Sequence, residues 1–302
     1  MLIIGSRGSK LALWQANYIK SRLEQLGHQC RIEVIQTSGD RFQSGPLKEI
    51  GNKGLFTKEI EEALLDKRID LAVHSLKDMP SALPVGLQIT ATPEREDPRD
   101  ALIGGPLASL PKGARVGTGS LRRVAQLAHA RPDLRIEGVR GNVDTRLRKL
   151  DEGQFDAIVL AASGLRRLGW AHRIAEYLPV HLMCPAVGQG ALAVETRNDA
   201  GHGLTACLPL NHEPTRAAIT AERAVLEVLG GGCQVPIGAY GSVDGERLSL
   251  RAVVISTDGK KLVQQQTEGM AVDAEALGTA LGQELLQAGA GEILAGIYGS
   301  PG

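Results

Sequence analysis

The chain reads as an α/β protein, with two α/β domains flanking a cleft and a small α+β C-terminal domain with an antiparallel sheet. Three observations predict this. Two stretches, 2–76 and 115–161, each run in the order β-α-β-α-β, as mostly parallel open sheets do. A lone apolar strand, 191–195, follows the second stretch, where it can return to the sheet of the first. After Leu210 the texture changes to a helix, three strand-like runs and a closing helix. The expected domains are 1–94 plus 190–208, then 98–186, then 213–302.

Each element has its own signal. Residues 2–4 are a short apolar strand. Over 9–26, Leu11, Trp14, Tyr18, Ile19, Leu23 and Leu26 fall on one helical stripe that Gly27 ends. Residues 31–36 alternate like a strand, and 37–54 form a long polar loop of a length usually kept for function. A helix over 56–67 leads into a buried strand over 70–76. Pro80, Pro84, Pro93 and Pro98 then break the chain, and Glu94-Arg-Glu-Asp-Pro-Arg99 reads as a crossover. The second stretch has strands at 115–117, 135–139 and 155–161, with helices at 120–130 and 143–150. Helices at 215–229 and 274–288 bracket strands at 236–243, 248–255 and 261–268.

Composition narrows the function. The chain has 302 residues, 43% hydrophobic and 23% charged, as a globular protein does. Its 34 basic and 34 acidic residues cancel, which argues against a nucleic-acid binder driven by overall positive charge. The four cysteines, Cys30, Cys184, Cys207 and Cys233, show no paired spacing, so no metal site is expected. The start, Met-Leu-Ile-Ile-Gly-Ser-Arg, lacks the long apolar run of a signal peptide, and no segment has transmembrane length. A cytoplasmic monomer is expected.

Chemistry concentrates where strands hand over to helices. Ser6-Arg7-Gly-Ser9, Gly117-Thr-Gly-Ser-Leu-Arg-Arg123 and Val139-Arg-Gly-Asn-Val-Asp-Thr-Arg146 occupy such places. Ligands of open α/β sheets bind at these ends, where helix N-termini favour anions and arginine grips carboxylates with two hydrogen bonds. An anion site is expected there; a solvated basic face is the plainer alternative. The glycine-rich 117–120 stretch lacks the Gly-Lys-Ser/Thr ending of a phosphate-binding loop. Asp78, at the end of the buried strand, can move protons or stabilise a cation, or simply cap a turn beside Lys77. His74 reads as a hydrogen-bonded core histidine. Gly230-Gly-Gly-Cys-Gln-Val-Pro236 suggests either an attachment point that presents the Cys233 sulfur or a tight turn that buries it. A hydrolase role for Cys233 would need a base such as His202 or His212.

Taken in order, these segments resemble the porphobilinogen deaminase family over nearly the whole chain. The resemblance rests on Gly5-Ser-Arg-Gly-Ser-Lys-Leu-Ala-Leu-Trp-Gln15, Gly51-Asn-Lys-Gly-Leu-Phe56, Val73-His-Ser-Leu-Lys-Asp-Met-Pro80 and Glu94-Arg-Glu-Asp-Pro-Arg-Asp-Ala101. Gly117-Thr-Gly-Ser-Leu-Arg-Arg123, Arg140-Gly-Asn142, Pro185-Ala-Val-Gly-Gln-Gly190 and Gly231-Gly-Cys-Gln-Val-Pro236 complete it. It implies two domains like the lobes of periplasmic binding proteins and a third carrying a covalent cofactor. It also implies condensation of porphobilinogen units, with loss of ammonia, into 1-hydroxymethylbilane.

By the same resemblance Cys233 bears a dipyrromethane as a thioether, and Asp78 is the catalytic acid–base. Ser75, Lys77, Thr118, Ser120, Arg122, Arg123, Arg140 and Gly141 would bind the cofactor. Arg7, Ser9, Lys53, Arg146, Arg167 and Gln189 would bind substrate. Three positions depart from the family pattern: Gly119 where a second serine is common, Asn52 where glycine is common, and Lys10 where small residues or proline are common. A non-catalytic two-lobed anion-binding protein is the alternative.

Overall fold

The computed structural model describes residues 1–41, 56–231 and 235–298. The chain forms two compact units, Met1–Arg95 with Ala191–Arg216, and Glu96–Gly190 with Ala217–Gly302.

The first unit opens with β1 (Leu2–Ser6), α1 (Lys10–Gln25), β2 (Cys30–Val34), a single turn α2 (Ser38–Arg41), α3 (Lys58–Leu65) and β3 (Leu71–Ser75). Ser9 starts α1: its Oγ accepts the Ala12 N–H at 3.3 Å, which satisfies one of the free donors of a helix start. Gly27, at φ +87°, ends it. The buried face of α1 is Ala12, Gln15, Ala16, Ile19 and Leu23, which corrects the expected stripe. Trp14 and Leu26 are exposed, and Trp14 stacks on Tyr18 with centroids 5.6 Å apart. Two adjacent stripes fit a helical period, and the one with small alanines lies against the sheet. After β3 comes β4 (Leu87–Ala91), which the prolines on either side hid from the sequence reading.

The second unit begins with β5 (Asp100–Ile103), β6 (Arg115–Gly117), α4 (Leu121–Ala130), β7 (Arg135–Glu137), α5 (Val143–Asp151), β8 (Ala157–Ala161), α6 (Ala162–Arg167) and β9 (Glu176–Leu178). Its sheet order is β7-β6-β8-β5-β9, with β6 parallel to both β7 and β8 and with β5 antiparallel. The chain then returns to the first unit as β10 (Leu192–Arg197) and α7 (His202–Cys207). There the order is β2-β1-β3-β10-β4, with β10 antiparallel between β3 and β4. Both sheets thus share one plan, three parallel strands followed by an antiparallel one that the crossover supplies. Separate apolar clusters form in each sheet unit, Leu2 to Leu210 and Ile35 to Leu87 in the first, Leu102 to Met183 and Ala101 to Leu165 in the second.

The remaining elements are α8 (Glu213–Val228), β11 (Ile237–Asp244), β12 (Arg247–Ile255), β13 (Leu262–Met270), α9 (Ala274–Leu285) and α10 (Gly291–Tyr298). The three strands form an antiparallel sheet with its own core, as expected. Its β12–β13 turn approaches α4 so closely that a Cβ at Gly259 would lie 2.5 Å from the His129 backbone nitrogen.

Candidate functional site

In the first unit the site residues stand where parallel strands end. Beyond β1, the Ser9 hydroxyl is engaged as the α1 cap, and the Arg7 guanidinium lies 4.2 Å from the Phe56 ring centroid. At the end of β3, the Ser75 hydroxyl accepts a 2.8 Å hydrogen bond from the buried Gln15 amide. A 3₁₀ turn, Leu76–Asp78, follows. Such a turn has three residues per repeat, so Leu76 and Met79 fall on one face. Both are buried, while Lys77 is half-buried and Asp78 exposed. The Met79 N–H donates to the Leu76 carbonyl at 3.0 Å, and the Leu76 N–H to that of Ala191 at 3.0 Å. Two apolar anchors thus hold the turn and present its carboxylate to solvent. His74 is the core histidine expected, its Nε2 3.0 Å from Glu195 Oε2.

In the second unit the loops after β6 and β7 meet. Buried Thr118 accepts the Ser120 N–H at 3.3 Å. Ser120 caps α4 with extended backbone but makes no side-chain capping bond, and Asn142 does the same for α5. A Cβ at Gly119 would lie 2.9 Å from the Val139 carbonyl oxygen, so the glycine permits the two loops to approach. Gly141 has φ +111°, and its carbonyl accepts from Arg146 Nε at 2.7 Å. Arg140 is exposed. Arg167 is buried and donates to the Gly190 carbonyl at 2.7 Å.

Arg122, Arg123 and Gln189 are brought together by a residue that sequence reasoning missed, Asp100 at the start of β5. Asp100 is fully buried. Its Oδ2 is 2.8 Å from Arg122 Nη2, and its Oδ1 accepts from Arg123 Nη2 at 2.7 Å, Arg123 Nε at 3.0 Å and the Gln189 amide at 2.9 Å. Burial pushes the Asp100 carboxyl up, but the two guanidiniums outweigh it and bring the pKa down to about 2. Arg122 also donates to the Cys184 carbonyl, which Gln126 Nε2 joins at 3.1 Å. These arginines serve an internal hub as well as any ligand. The available signal was an acid heading the apolar run Ala101-Leu-Ile103 directly after a charged stretch.

Lys53 and Cys233, with Asn52 and most of the 37–54 loop, lie outside the described residues. The chain before Cys233 is anchored: Gly230 takes φ +61°, and a Cβ at Gly231 would press on Leu226 and Ile237 at 2.7 Å. Cys184 and Cys207 are buried thiols whose pKa is pushed up to about 12 by burial, which makes them poor nucleophiles. His212 Nδ1 is 2.9 Å from the Thr215 hydroxyl, and His202 packs edge-on to His28.

Two family models match the chain: "Porphobilinogen deaminase, dipyromethane cofactor binding domain" over residues 2–203 and "Porphobilinogen deaminase, C-terminal domain" over residues 216–287. The porphobilinogen deaminase of Geobacter metallireducens is 50% identical over 301 residues, 98% of this chain and 95% of the relative. That of Syntrophobacter fumaroxidans is 48% identical over 300 residues, 98% of this chain and 97% of the relative. Among solved structures, a periplasmic substrate-binding protein of an ABC transporter from Coxiella burnetii is 14% identical with a TM-score of 0.44, over 71% of this chain and 93% of that one.

Proposed function

The chain belongs to the porphobilinogen deaminase family, and from that premise we propose how its residues divide the work. The family joins four porphobilinogen units head to tail, releases ammonia at each step and hydrolyses the product to 1-hydroxymethylbilane. The protein is accordingly a transferase of tetrapyrrole biosynthesis.

The family's dipyrromethane carries acetate and propionate groups, and the donor set of the second unit fits them. The buried Nε–H of Arg122 has no acceptor among the described residues, the Ser120 hydroxyl makes no capping bond, and the α4 and α5 N-termini open at the same strand ends. Cys233 would hold the group as a thioether. Ser75, Lys77, Thr118, Ser120, Arg122, Arg123, Arg140 and Gly141 would bind and orient it. When bound it supplies the free pyrrole α-carbon from which the chain grows. Arg7, Ser9, Lys53, Arg146, Arg167 and Gln189 would take the substrate's carboxylates, Arg167 and Gln189 by shaping the loop they already hold. The Asp78 carboxylate would move the proton at the departing aminomethyl nitrogen and stabilise the positive charge that develops there.

The observation that carries this assignment is the Asp78 turn, an exposed carboxylate held at a strand end by Leu76 and Met79, beside Ser75 and Lys77. We read the chain as three domains, 1–94 plus 190–208, 98–186 and 213–302, acting as a cytoplasmic monomer that binds no nucleic acid. Among the described residues no helix is long and apolar enough to cross a membrane.

The test is the intact mass of denatured protein beside that of Cys233→Ser. An added mass of two porphobilinogens less two ammonias, absent from the variant, is expected. An unmodified wild-type mass that persists after incubation with porphobilinogen would leave the non-catalytic anion-binding protein as the better reading.

A further inference from the structure

Behind the Asp78 turn, three ionisable side chains of the first unit are shut away from water. They are Glu61 of α3 (7% exposed), His74 of β3 (6%) and Glu195 of β10 (0%). Alternation along β3 puts Ala72 and His74 on one face, and Ala72 packs with Ile60, Ala63 and Leu64 of α3. Glu195 pairs in register with Ala72, which brings it to the same side. His74 Nε2 and Glu195 Oε2 are 3.0 Å apart. The other Glu195 oxygen and one Glu61 oxygen have no hydrogen-bond partner among the described residues.

Apart from the Thr57 hydroxyl, this set has only the His74 ring N–H to offer two carboxyl groups. An ionised carboxylate only accepts, and the His74 Nε2–H is taken by Glu195. A proton on one carboxyl would turn an orphaned acceptor into a donor and remove one of two buried negative charges, each costly without a partner. Glu195 already has His74 as a partner at 3.0 Å, whereas the orphaned Glu61 oxygen has none. Glu61 is left to carry the proton. Its surroundings agree: burial pushes its pKa up and the Glu195 and Glu62 charges add to this, against Thr57 and His74.

We propose that Glu61 is held as a neutral acid and that the His74–Glu195 pair beside it is a positioning element, fixing the end of β3 that presents Ser75, Lys77 and Asp78. The functional half rests on the role given to Asp78 above. His74 directly precedes Ser75, which pairs with Leu192, and the side-chain link runs diagonally from His74 to Glu195, two residues beyond its backbone partner Ala193. A one-residue slip of β3 against β10 would turn every following side chain to the other face. A buried polar pair penalises that slip, because each partner would be left alone.

The experiment uses the full-length, cofactor-loaded protein and two near-isosteric variants, Glu61→Gln and Glu195→Gln. Glu61 lies outside the Asp78 turn, and its amide keeps both the hydrogens and the neutrality of the acid. Turnover of Glu61→Gln should stay within about twofold of wild type, as for a near-neutral exchange of like groups. Glu195→Gln should keep its dipyrromethane by mass yet lose kcat by about tenfold to a hundredfold, the scale of a slightly misplaced catalytic group, with KM little changed.

The second readout is the urea midpoint against pH, which needs no activity. A raised folded pKa means that the Glu61 proton favours the fold fully below the ordinary value of 4.5, and that this contribution is lost as pH rises through the folded value. The wild-type midpoint should therefore fall relative to Glu61→Gln as pH rises. A gap that does not change with pH would overturn the neutral acid. Equal turnover for Glu195→Gln and wild type would overturn the positioning role, as would a loss borne by KM alone. If Glu195→Gln does not fold, His74→Asn, which breaks the same pair from the other side, takes its place. A wild-type protein without turnover would fail the Asp78 reading and leave the midpoint test of Glu61 standing.

Discussion

Replacing Asp100 by asparagine tests whether Arg122 and Arg123 are held from inside. The swap keeps shape but exchanges one carboxylate oxygen for an amide that donates toward guanidiniums, which also only donate. It removes the negative charge that faces two buried cations at 2.7 and 2.8 Å. Breaking a buried ion pair by deleting one partner costs about 3–5 kcal/mol, because the remaining charge stays buried. The depressed pKa points the same way: a fall from 3.8 to about 2 corresponds to roughly 2–3 kcal/mol of stability at neutral pH. A loss of about 3–5 kcal/mol is expected, large against the ~5–15 kcal/mol of an ordinary domain.

The assay is urea unfolding followed by Trp170 fluorescence in a Trp14→Phe background. The chain has two tryptophans, and Trp170 packs on the core of the second unit. The acid limb supplies a second check. Because the folded pKa of Asp100 is depressed, its contribution is present above 3.8 and lost as pH falls through about 2. The wild-type advantage over Asp100→Asn should therefore shrink across that window. A loss below about 1 kcal/mol at neutral pH, the size of an ordinary single hydrogen bond, or a gap that ignores pH, would refute the hub.

Three further outcomes follow from particular contacts. Gly190→Ala should destabilise by about 1–3 kcal/mol in the same assay, since φ is +89° and the new Cβ would overlap the Glu96 carbonyl oxygen. Glu222→Gln should cost about 1–3 kcal/mol by thermal unfolding, because the two buried carboxylate oxygens accept the Gly188 and Gly241 N–H groups at 2.7 and 2.8 Å and an amide can accept only one. Asp78→Asn should lower turnover by at least about a hundredfold while the urea midpoint and the adduct mass hold, since the side chain is exposed.

How far the sequence could be read depends on whether a signal is local. The Asp78 turn was legible because everything that shapes it lies within a few residues: an apolar strand, Leu76 and Met79 three apart, then Pro80. The α4 start was legible for the same reason, with Ser120 before the helix and Gly119 before it. The inward face of α1 was not, since its Leu/Trp stripe and its Ala/Ile/Leu stripe have the same period, and contact with the sheet decides between them. Strand β4 escaped because edge strands tolerate polar residues, and here Thr90 bonds Thr196 across the pair at 2.7 Å.

The arginines show where local reading stops. Arg122, Arg123, Arg140 and Arg146 all sit near glycines at strand-to-helix handovers, and one chemistry suits them all. Their surroundings divide them. The C-terminal sheet closes over the back of α4, with Ala125 in one cluster with Val253 and Ile255 and with the Gly259 carbonyl oxygen 2.8 Å from His129 Nδ1. A helix covered on that side must bury polar side chains, and it does so with partners remote in sequence, Asp100 for both arginines and the Cys184 peptide for Arg122 and Gln126. Arg140, at the head of α5, has no such cover and stays exposed. Removing the cover should therefore act on Arg122 and spare Arg140. An Ile255→Ala truncation, costing about 2–5 kcal/mol at a buried site, should loosen the Arg122–Asp100 pair and raise the acid midpoint of unfolding.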